Sequence, residues 1–130
     1  MIGVIVTGHG NYGSGLYSAL KLIAGESENV LALDFTGDGI DEYDKSLRGA
    51  LDKMKAYDAC LILTDIAGGT PFNRSVIISQ ENDRVEVLTG SNFQMLYTAA
   101  YAMGSLEEAL EDIVSEGKKG ISHFQLENTL

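Results

Sequence analysis

Cysteine is nearly absent from this chain of 130 residues, in which Cys60 is the only one. A single cysteine excludes an internal disulfide framework and leaves no set of thiol ligands for a metal within one chain. The apolar neighbours Ala59 and Leu61 instead predict that the thiol is a small buried hydrophobe. No metal-ligand cluster is recognisable elsewhere, so we expect neither a metal centre nor a cofactor.

Basic side chains are also scarce, with nine lysine and arginine residues against nineteen aspartate and glutamate residues and a net charge of −10. No basic cluster occurs beyond the pair Lys118-Lys119. Such a surface repels the phosphate backbone of nucleic acids, which we therefore exclude as partners. Basic patches on a protein partner would instead be attracted to it.

Long apolar runs are missing too. No run approaches the roughly twenty residues that a membrane span requires. The N-terminus lacks the order of basic, apolar and small residues that marks a secretory signal. The length suits one domain, residues 1–130, with a core large enough to be stable without disulfide bonds or metal ions. These observations predict a soluble, cytoplasmic protein whose single domain supplies the whole function.

Short apolar runs of the kind found in buried strands alternate with helical periodicity along the chain. The predicted strands are 2–8, 30–33, 59–63 and 85–88, and 121–126 is a candidate for a last short strand. The predicted helical faces include Leu16 to Ile23, Leu47 to Met54, Phe72 to Ile77, Phe93 to Met103 and Leu110 to Val114.

Several residues predict where these helices begin and end. Gly25 suits the end of the first helix, and Gly117 the end of the last. Thr70 suits the N-cap of the third helix, with Pro71 as its first residue. Ser105 has the spacing from Glu108 of a capping box at the start of the last helix.

This alternation predicts the α/β class: a flavodoxin-like, doubly wound sheet of four parallel strands in the order 2-1-3-4. Parallel strands require crossover helices, and those crossovers are right-handed. In that order the carboxyl ends of strands one and three lie side by side at the topological switch point. The loop that carries His9 should therefore meet the loop that carries Asp65, although the two lie far apart in sequence.

The residues of these two loops predict a phosphoryl carrier. A neutral imidazole is a competent nucleophile when one ring nitrogen faces the substrate and an acceptor holds the other, and Asp65 is placed to orient His9 in this way. Gly68 and Gly69 allow backbone N–H groups to approach an anion, and Thr70 adds a hydroxyl at a helix N-terminus. No Walker lysine accompanies them, so a phosphoryl group carried on His9 fits better than nucleotide hydrolysis.

A second interpretation uses the same loop differently. Gly8, Gly10 and Gly13 form a G-x-G-x-x-G pattern after a strand, and Asp34 follows about twenty residues later. By spacing this is a dinucleotide-binding fingerprint, with Asp34 on the ribose. It gives no role to His9 or to the second glycine loop, and 130 residues leave no room for a catalytic domain.

The chain resembles the IIA domain of the mannose-type sugar phosphotransferase system. The resemblance extends from the start of the chain to about residue 103 and rests on four segments: Gly8-His9-Gly10, residues 25–30, Asp65 with residues 68–73, and residues 90–96. It implies that His9 accepts a phosphoryl group on Nε2 from phosphorylated HPr and passes it to a IIB component. It also implies that Asp65 bonds Nδ1 and that Gly68, Gly69 and Thr70 contact the phosphate.

The resemblance implies further features. The family forms homodimers that can exchange an antiparallel C-terminal strand, for which residues 121–126 are the candidate, and IIB is expected to be a separate polypeptide. A related phosphocarrier subunit for dihydroxyacetone phosphorylation, or a regulatory paralogue, remains an alternative. Tyr12 and Phe72 are candidates for a docking rim, and His123 for an edge-strand or interface residue.

Overall fold

The structure is a computed structural model and describes residues 1–126. These residues form four strands, five α-helices and one short 3-10 turn. The strands are β1 (Gly3–His9), β2 (Val30–Phe35), β3 (Cys60–Thr64) and β4 (Val85–Leu88). The helices are α1 (Tyr12–Ala24), α2 (Ile40–Lys53), α3 (Thr70–Ser79), α4 (Phe93–Ala100) and α5 (Leu106–Lys119).

The four strands form one parallel sheet in the order β2-β1-β3-β4. In the register of the central pair, Thr7 lies opposite Thr64, so both strands end at the same edge of the sheet. On the other side of β1, His9 lies opposite Phe35. The predicted fold class and strand order are confirmed, and the loops that follow β1 and β3 leave the sheet next to each other.

Successive residues of a strand point to opposite sides of the sheet, so the apolar strands present apolar side chains on both faces. Helices cover both of these faces. On one side Val4 and Val6 pack with residues of α1, α4 and α5, among them Leu20, Leu96 and Ile113. On the other side Ile5 packs with residues of α2 and α3, among them Leu47 and Ile78. All of these side chains are buried, and each contributes about 1.5–3 kcal/mol through burial of apolar surface. The two clusters hold the strand ends at fixed positions.

Two helix ends lie where the sequence predicts them, and two others do not. Gly25 ends α1 with a φ of 81°, and Ser105 forms a capping box with Glu108 at the start of α5. The N-cap of α3 is Gly69, so the prediction of Thr70 as N-cap was wrong by one residue. Gly117 lies inside α5, and the helix continues to Lys119, because the glycine packs against Met95 and does not end the helix.

Two predicted helical faces extend past the helices themselves. Met54 lies in the 3-10 turn Met54–Ala56 after α2, and its side chain is still buried. Met103 lies beyond the end of α4 and is 73% exposed, so it does not belong to the face that the sequence predicted. Apolar spacing continued across both boundaries, whereas the α-helical hydrogen-bond pattern changed to a 3-10 turn after α2 and ended with Ala100 in α4.

Residues 121–125 form no strand in this single chain. The antiparallel strand of the sequence prediction is therefore absent here, and its exchange between two chains stays a prediction. Residues 127–130 lie outside the described residues. Among the helices of residues 1–126, each is too short or too polar to cross a membrane.

Candidate functional site

His9 is the last residue of β1, and its side chain is 44% exposed at the carboxyl edge of the sheet. The chain turns sharply after it, since Gly10 has a φ of 58°, a conformation that glycine adopts without steric cost. The N–H of Gly10 donates to the carbonyl oxygen of Phe35 at 2.8 Å, which ties the turn to the end of β2. The imidazole is thus held on a rigid strand end and stays accessible to another molecule.

Asp65 follows β3 directly and bonds His9 twice. One carboxylate oxygen, Oδ2, accepts from the backbone N–H of His9 at 3.0 Å and lies 2.8 Å from Nδ1 of the imidazole. The other oxygen accepts from the N–H of Ile66 at 2.9 Å. A carboxylate accepts only, so Nδ1 carries the proton and the lone pair of the neutral ring lies on Nε2.

The charge of Asp65 is maintained by these bonds. Burial acts to raise the pKa of the carboxyl, because the side chain is only 13% exposed. The hydrogen bonds from the backbone and ring of His9 and from the N–H of Ile66 outweigh this effect and hold the pKa of Asp65 below its usual value. Asp65 is therefore a carboxylate at neutral pH and can stabilise positive charge on the ring.

The loop after Asp65 brings the N-terminus of α3 to the imidazole. Gly68 has a φ of 88°, which turns the chain toward the helix. A Cβ on Gly69 would overlap Cε1 of His9 and lie 2.8 Å from its Nε2, so only glycine lets the backbone approach this closely. Thr70 and Phe72 provide N–H groups in the first helical turn, where no partner within the helix is available. Nε2 thus faces a region of positive partial charge suited to an anion.

Aromatic rings border the imidazole on the side of β2. The ring of Phe35 meets that of His9 edge to face, with 6.1 Å between ring centroids. Tyr43 of α2 meets Phe35 in the same manner at 5.4 Å, and its hydroxyl lies 2.6 Å from Oγ1 of Thr7. The contact with Phe35 restricts the orientation of the His9 ring on the side of β2. No sequence pattern relates either ring to the site, because only the folded chain brings them next to His9.

A third loop, after β4, also reaches the site. The hydroxyl of Tyr12 donates to the carbonyl oxygen of Ser91 at 2.7 Å. The phenol of Tyr12 therefore points toward this loop, whereas the sequence analysis considered it for a docking rim. Phe72, the other candidate for that rim, is partly buried in the first turn of α3. Ser91 had been noted only within a motif, because 79 residues separate it from Tyr12.

The residues of the dinucleotide interpretation have other partners. Asp34 accepts from the backbone N–H of Ser14 at 2.8 Å and from its hydroxyl at 2.5 Å. Its carboxylate therefore lies at the N-terminus of α1, where a pyrophosphate would have to bind. Gly13 lets that helix pack on the sheet, since a Cβ there would lie 2.6 Å from the carbonyl oxygen of Val6. Gly13 is thus explained by helix packing and Gly10 by the turn after β1, and Asp34 anchors the start of α1.

No group of three or more histidine, cysteine, aspartate or glutamate side chains that could hold a metal occurs among residues 1–126. His123 lies on the exposed C-terminal segment, with Nδ1 3.5 Å from Nε2 of Gln125. Cys60 is buried in the core, and burial raises the pKa of its thiol to about 12. Neither His123 nor Cys60 thus takes part in the site that His9 and Asp65 form.

Comparison with known proteins finds relatives of this chain. The family model EIIA-man, described as PTS system fructose IIA component, matches residues 3–116. The PTS system fructose-specific EIIA component of Bacillus subtilis (strain 168) is 33% identical over 121 residues, which cover 91% of this chain and 80% of that protein. The PTS system mannose-specific EIIAB component of Escherichia coli (strain K12) is 28% identical over 124 residues, which cover 92% of this chain and 38% of that protein.

Solved structures are similar over nearly the whole chain. The phosphotransferase system component EIIA of Streptococcus agalactiae is 32% identical and superposes with a TM-score of 0.86, covering 95% of this chain and 98% of that chain. A mannose/sorbose specific IIA subunit from Enterococcus faecalis has a TM-score of 0.87 at 21% identity, covering 96% of both chains. The second likeness concerns the fold alone.

Proposed function

The chain belongs to the mannose-type EIIA family of the sugar phosphotransferase system, and from this premise we propose that His9 is the residue that carries the phosphoryl group. EIIA components of this system are phosphotransferase carriers that pass the group to a IIB component. The observation that carries the assignment is the 2.8 Å contact between Nδ1 of His9 and Asp65, which leaves Nε2 as the free nucleophile.

In the proposed reaction the donor is the phosphohistidine of HPr. The lone pair on Nε2 of His9 forms a bond to phosphorus, the N–P bond of the donor breaks, and its electron pair returns to the donor imidazole. Positive charge develops on the ring of His9, and the Asp65 carboxylate at 2.8 Å stabilises it. The Nδ1 proton stays on the ring throughout. Transfer to the acceptor residue of a IIB component breaks the N–P bond on His9 and returns its electron pair to Nε2.

The loop of Gly68, Gly69 and Thr70 is the proposed cradle of the phosphoryl oxygens. It lies beside Nε2, and its helix N-terminus supplies N–H groups and a partial positive charge. The hydroxyl of Thr70 adds a donor. A bound phosphoryl group would thus be stabilised by neutral donors, which hold it without preventing its transfer to the next protein.

The partners follow from this role. We propose HPr as the donor, a IIB component as the acceptor, and one domain of residues 1–130 that acts in the cytoplasm as a homodimer. No nucleic acid and no cofactor takes part. The acidic chain, with a net charge of −10, would attract basic surfaces on HPr and IIB.

Intact-mass measurement tests the proposal. The chain is incubated with phosphoenolpyruvate, enzyme I and HPr, with and without brief acid treatment. We expect a gain of one phosphoryl group in the wild type, its loss in acid, and no gain in His9→Ala, because the nucleophile is missing.

The matched control is His123→Ala, which removes the other histidine and should still be phosphorylated. Equal loss in both variants would argue against His9 as the acceptor. A wild type that stays unmodified, with HPr shown to phosphorylate another acceptor, would contradict the carrier function. Transfer only to the acceptor subunit for dihydroxyacetone phosphorylation, and not to a sugar IIB, would favour that related role.

A further inference from the structure

A bridge between Tyr12 and Ser91 connects the start of α1 to the loop after β4, next to the His9–Asp65 pair. We propose that this Tyr12–Ser91 bridge positions Asp65 for phosphoryl transfer, so that both are positioning residues that touch neither the phosphoryl group nor the imidazole. The inference rests on the function proposed above, and it assigns a role to two residues outside the nucleophile, its orienting carboxylate and the phosphate loop.

Ser91 is held at both of its ends. The hydroxyl oxygen of Tyr12 lies 2.7 Å from the carbonyl oxygen of Ser91 and 2.8 Å from its Oγ. Ser91 in turn donates twice to the carbonyl oxygen of Thr64, from Oγ at 2.7 Å and from its backbone N–H at 3.1 Å. A continuous set of hydrogen bonds therefore leads from Tyr12 through Ser91 to the end of β3.

Thr64 is the last residue of β3, and Asp65 follows it directly. The side chain of Thr64 is fully buried, so the carbonyl that accepts from Ser91 belongs to the rigid end of the strand. The orientation of this peptide group sets the direction in which the chain leaves the sheet. Two hydrogen bonds from Ser91 thus fix the backbone from which the Asp65 carboxylate projects.

The ring of Tyr12 acts on Asp65 from a second direction. A Cβ on Gly8 would lie 2.7 Å from Cδ1 of Tyr12 and 2.8 Å from Cγ of Asp65. The ring and the carboxyl group therefore pack over the same backbone position, with the carboxyl group only 13% exposed. The ring forms a wall beside the carboxylate, and its hydroxyl holds that wall in place through Ser91.

The phenol remains a donor at neutral pH. Burial raises the pKa of Tyr12, the hydrogen bond to Ser91 opposes the rise, and the negative charge of Asp65 adds to it. The protonated hydroxyl is the form that can donate to the Ser91 carbonyl oxygen. The bridge is thus intact under the conditions in which His9 would accept a phosphoryl group.

Tyr12→Phe tests the bridge with the least disturbance, since it removes one oxygen and keeps the ring. We expect the rate of phosphoryl acceptance from phosphorylated HPr to fall about fivefold, which corresponds to the loss of about one hydrogen bond from the reacting geometry. The fall should appear in kcat, with KM for HPr unchanged, because the bridge is internal. Ser91→Ala, which removes the Oγ bond to Thr64, should have a similar effect.

The matched control is Tyr17→Phe. Tyr17 lies on the same helix and is also partly buried, but its hydroxyl lies 3.3 Å from the backbone of Ser27, away from the site. This variant should transfer phosphoryl at the wild-type rate. If Tyr12→Phe and Tyr17→Phe have the same rate, the inference is wrong.

A double-mutant cycle separates positioning from general stability. In an Asp65→Asn background, Tyr12→Phe should cause little further loss, because the group that it positions has already been altered. Additive losses, or a change in KM alone, would overturn the inference. Wild type and His9→Ala in the same assay keep the two proposals apart: if the wild type is phosphorylated on His9, the proposed function stands whatever Tyr12→Phe shows.

Discussion

At the scale of single residues, one oxygen atom of Asp65 does two tasks. Its Oδ2 accepts from the backbone N–H of His9 at 3.0 Å and contacts Nδ1 of the same residue at 2.8 Å. The backbone bond fixes the carboxylate relative to the main chain, and the ring bond then fixes the imidazole relative to the carboxylate. The imidazole of His9, the proposed nucleophile, is therefore oriented before any partner binds.

The first prediction concerns the charge of this group. Asp65→Asn should slow phosphoryl acceptance by about 10- to 100-fold while leaving the fold intact, since an amide lacks the charge and can donate to Nδ1. Quenched-flow intact-mass measurement gives the rate of phosphoryl acceptance, and circular dichroism reports on the fold. Asp38→Asn, on an exposed loop where the carboxylate contacts Thr36 at 2.7 Å, is the control and should have the wild-type rate.

The same residue predicts a pH dependence. The pKa of Asp65 is lowered in the folded protein, so the orienting charge is present above the usual aspartate pKa and is lost only as the pH falls through the lowered value. If Asp65→Asn transferred as fast as wild type at neutral pH, the carboxylate would have no orienting role.

The second prediction uses the close approach of Gly69 to the imidazole. Gly69 has φ −86° and ψ 172°, which alanine also adopts, so Gly69→Ala meets its only obstacle at Cε1 and Nε2 of His9. We expect the ring to be displaced and phosphoryl acceptance to fall at least tenfold, with little change in the free energy of unfolding.

The control for this steric prediction is Gly15→Ala. Gly15 lies on the exposed side of α1, and a Cβ there has no neighbour within 4 Å. Because alanine is favoured over glycine in a helix by about 1 kcal/mol, this variant should be slightly stabilised and fully active. A Gly69→Ala variant with wild-type rates would mean that Nε2 is not the atom that reacts.

At the scale of elements, α3 is held in place by the helix beside it. Arg74 of α3 donates twice to Asp44 of α2, from Nε at 2.9 Å and from Nη2 at 2.6 Å. Arg48 of α2 makes a second pair in the opposite sense, with Glu81 just after α3. The first turn of α3 carries the proposed phosphate cradle, so these bonds position the cradle relative to the sheet.

The third prediction follows from the Asp44–Arg74 pair. The hydrogen bond from Arg74 lowers the pKa of Asp44 against the opposing effect of its burial, so the pair contributes stability above the usual aspartate pKa and loses it as the pH falls through the lowered value. Asp44→Asn should therefore unfold at a lower urea concentration than wild type at pH 7. The difference between the urea concentrations at which wild type and Asp44→Asn unfold should become smaller toward pH 3.

A matched comparison is Glu81→Gln, which alters the more exposed pair with Arg48. Its effect at pH 7 should be smaller, because solvent screens an exposed ion pair. If wild type and Asp44→Asn differed by the same urea concentration of unfolding at pH 3 and pH 7, the charge of Asp44 would not contribute to stability.

The elements also indicate which features the sequence could predict. Buried parallel strands such as 60–63 are nearly continuous apolar runs, and the switch-point rule then predicts from sequence alone that His9 lies next to Asp65. Gly117 was mistaken for a helix end because sequence spacing cannot distinguish a terminating glycine from one that packs against Met95. No sequence pattern predicted the contacts of Ser91, because its hydrogen bonds join segments that share no periodicity.

At the scale of the whole molecule, the sheet has two open edges within residues 1–126, one at β2 and one at β4. Within residues 1–126, β4 pairs only with β3, and an unpaired strand edge is a site for another strand. The C-terminal segment exposes the apolar side chains of Ile121, Phe124 and Leu126, which are 77%, 67% and 78% exposed. Both features accord with the homodimer that the family resemblance implies.

The fourth prediction is that the chain sediments as a dimer, at twice its mass of 14.0 kDa. Truncation after Gly120 should give a monomer, because it removes the segment predicted to be exchanged. The truncated chain should keep its circular dichroism spectrum and still accept a phosphoryl group on His9, since the site is formed within one chain. Sedimentation velocity of both forms decides the matter, and a monomeric full-length chain would contradict it.

The sheet order has a further consequence for how the chain acquires activity. His9 ends β1, Asp65 follows β3 and Ser91 lies in the loop after β4, so these residues are separated by long stretches of sequence. They meet only when β1, β3 and β4 are paired in register. Such long-range pairing is slow to form, and a partly folded chain cannot assemble a fraction of the site. During refolding, the ability to accept a phosphoryl group should therefore appear only in the last, all-or-none step of folding. Partly folded chains would not be phosphorylated by HPr.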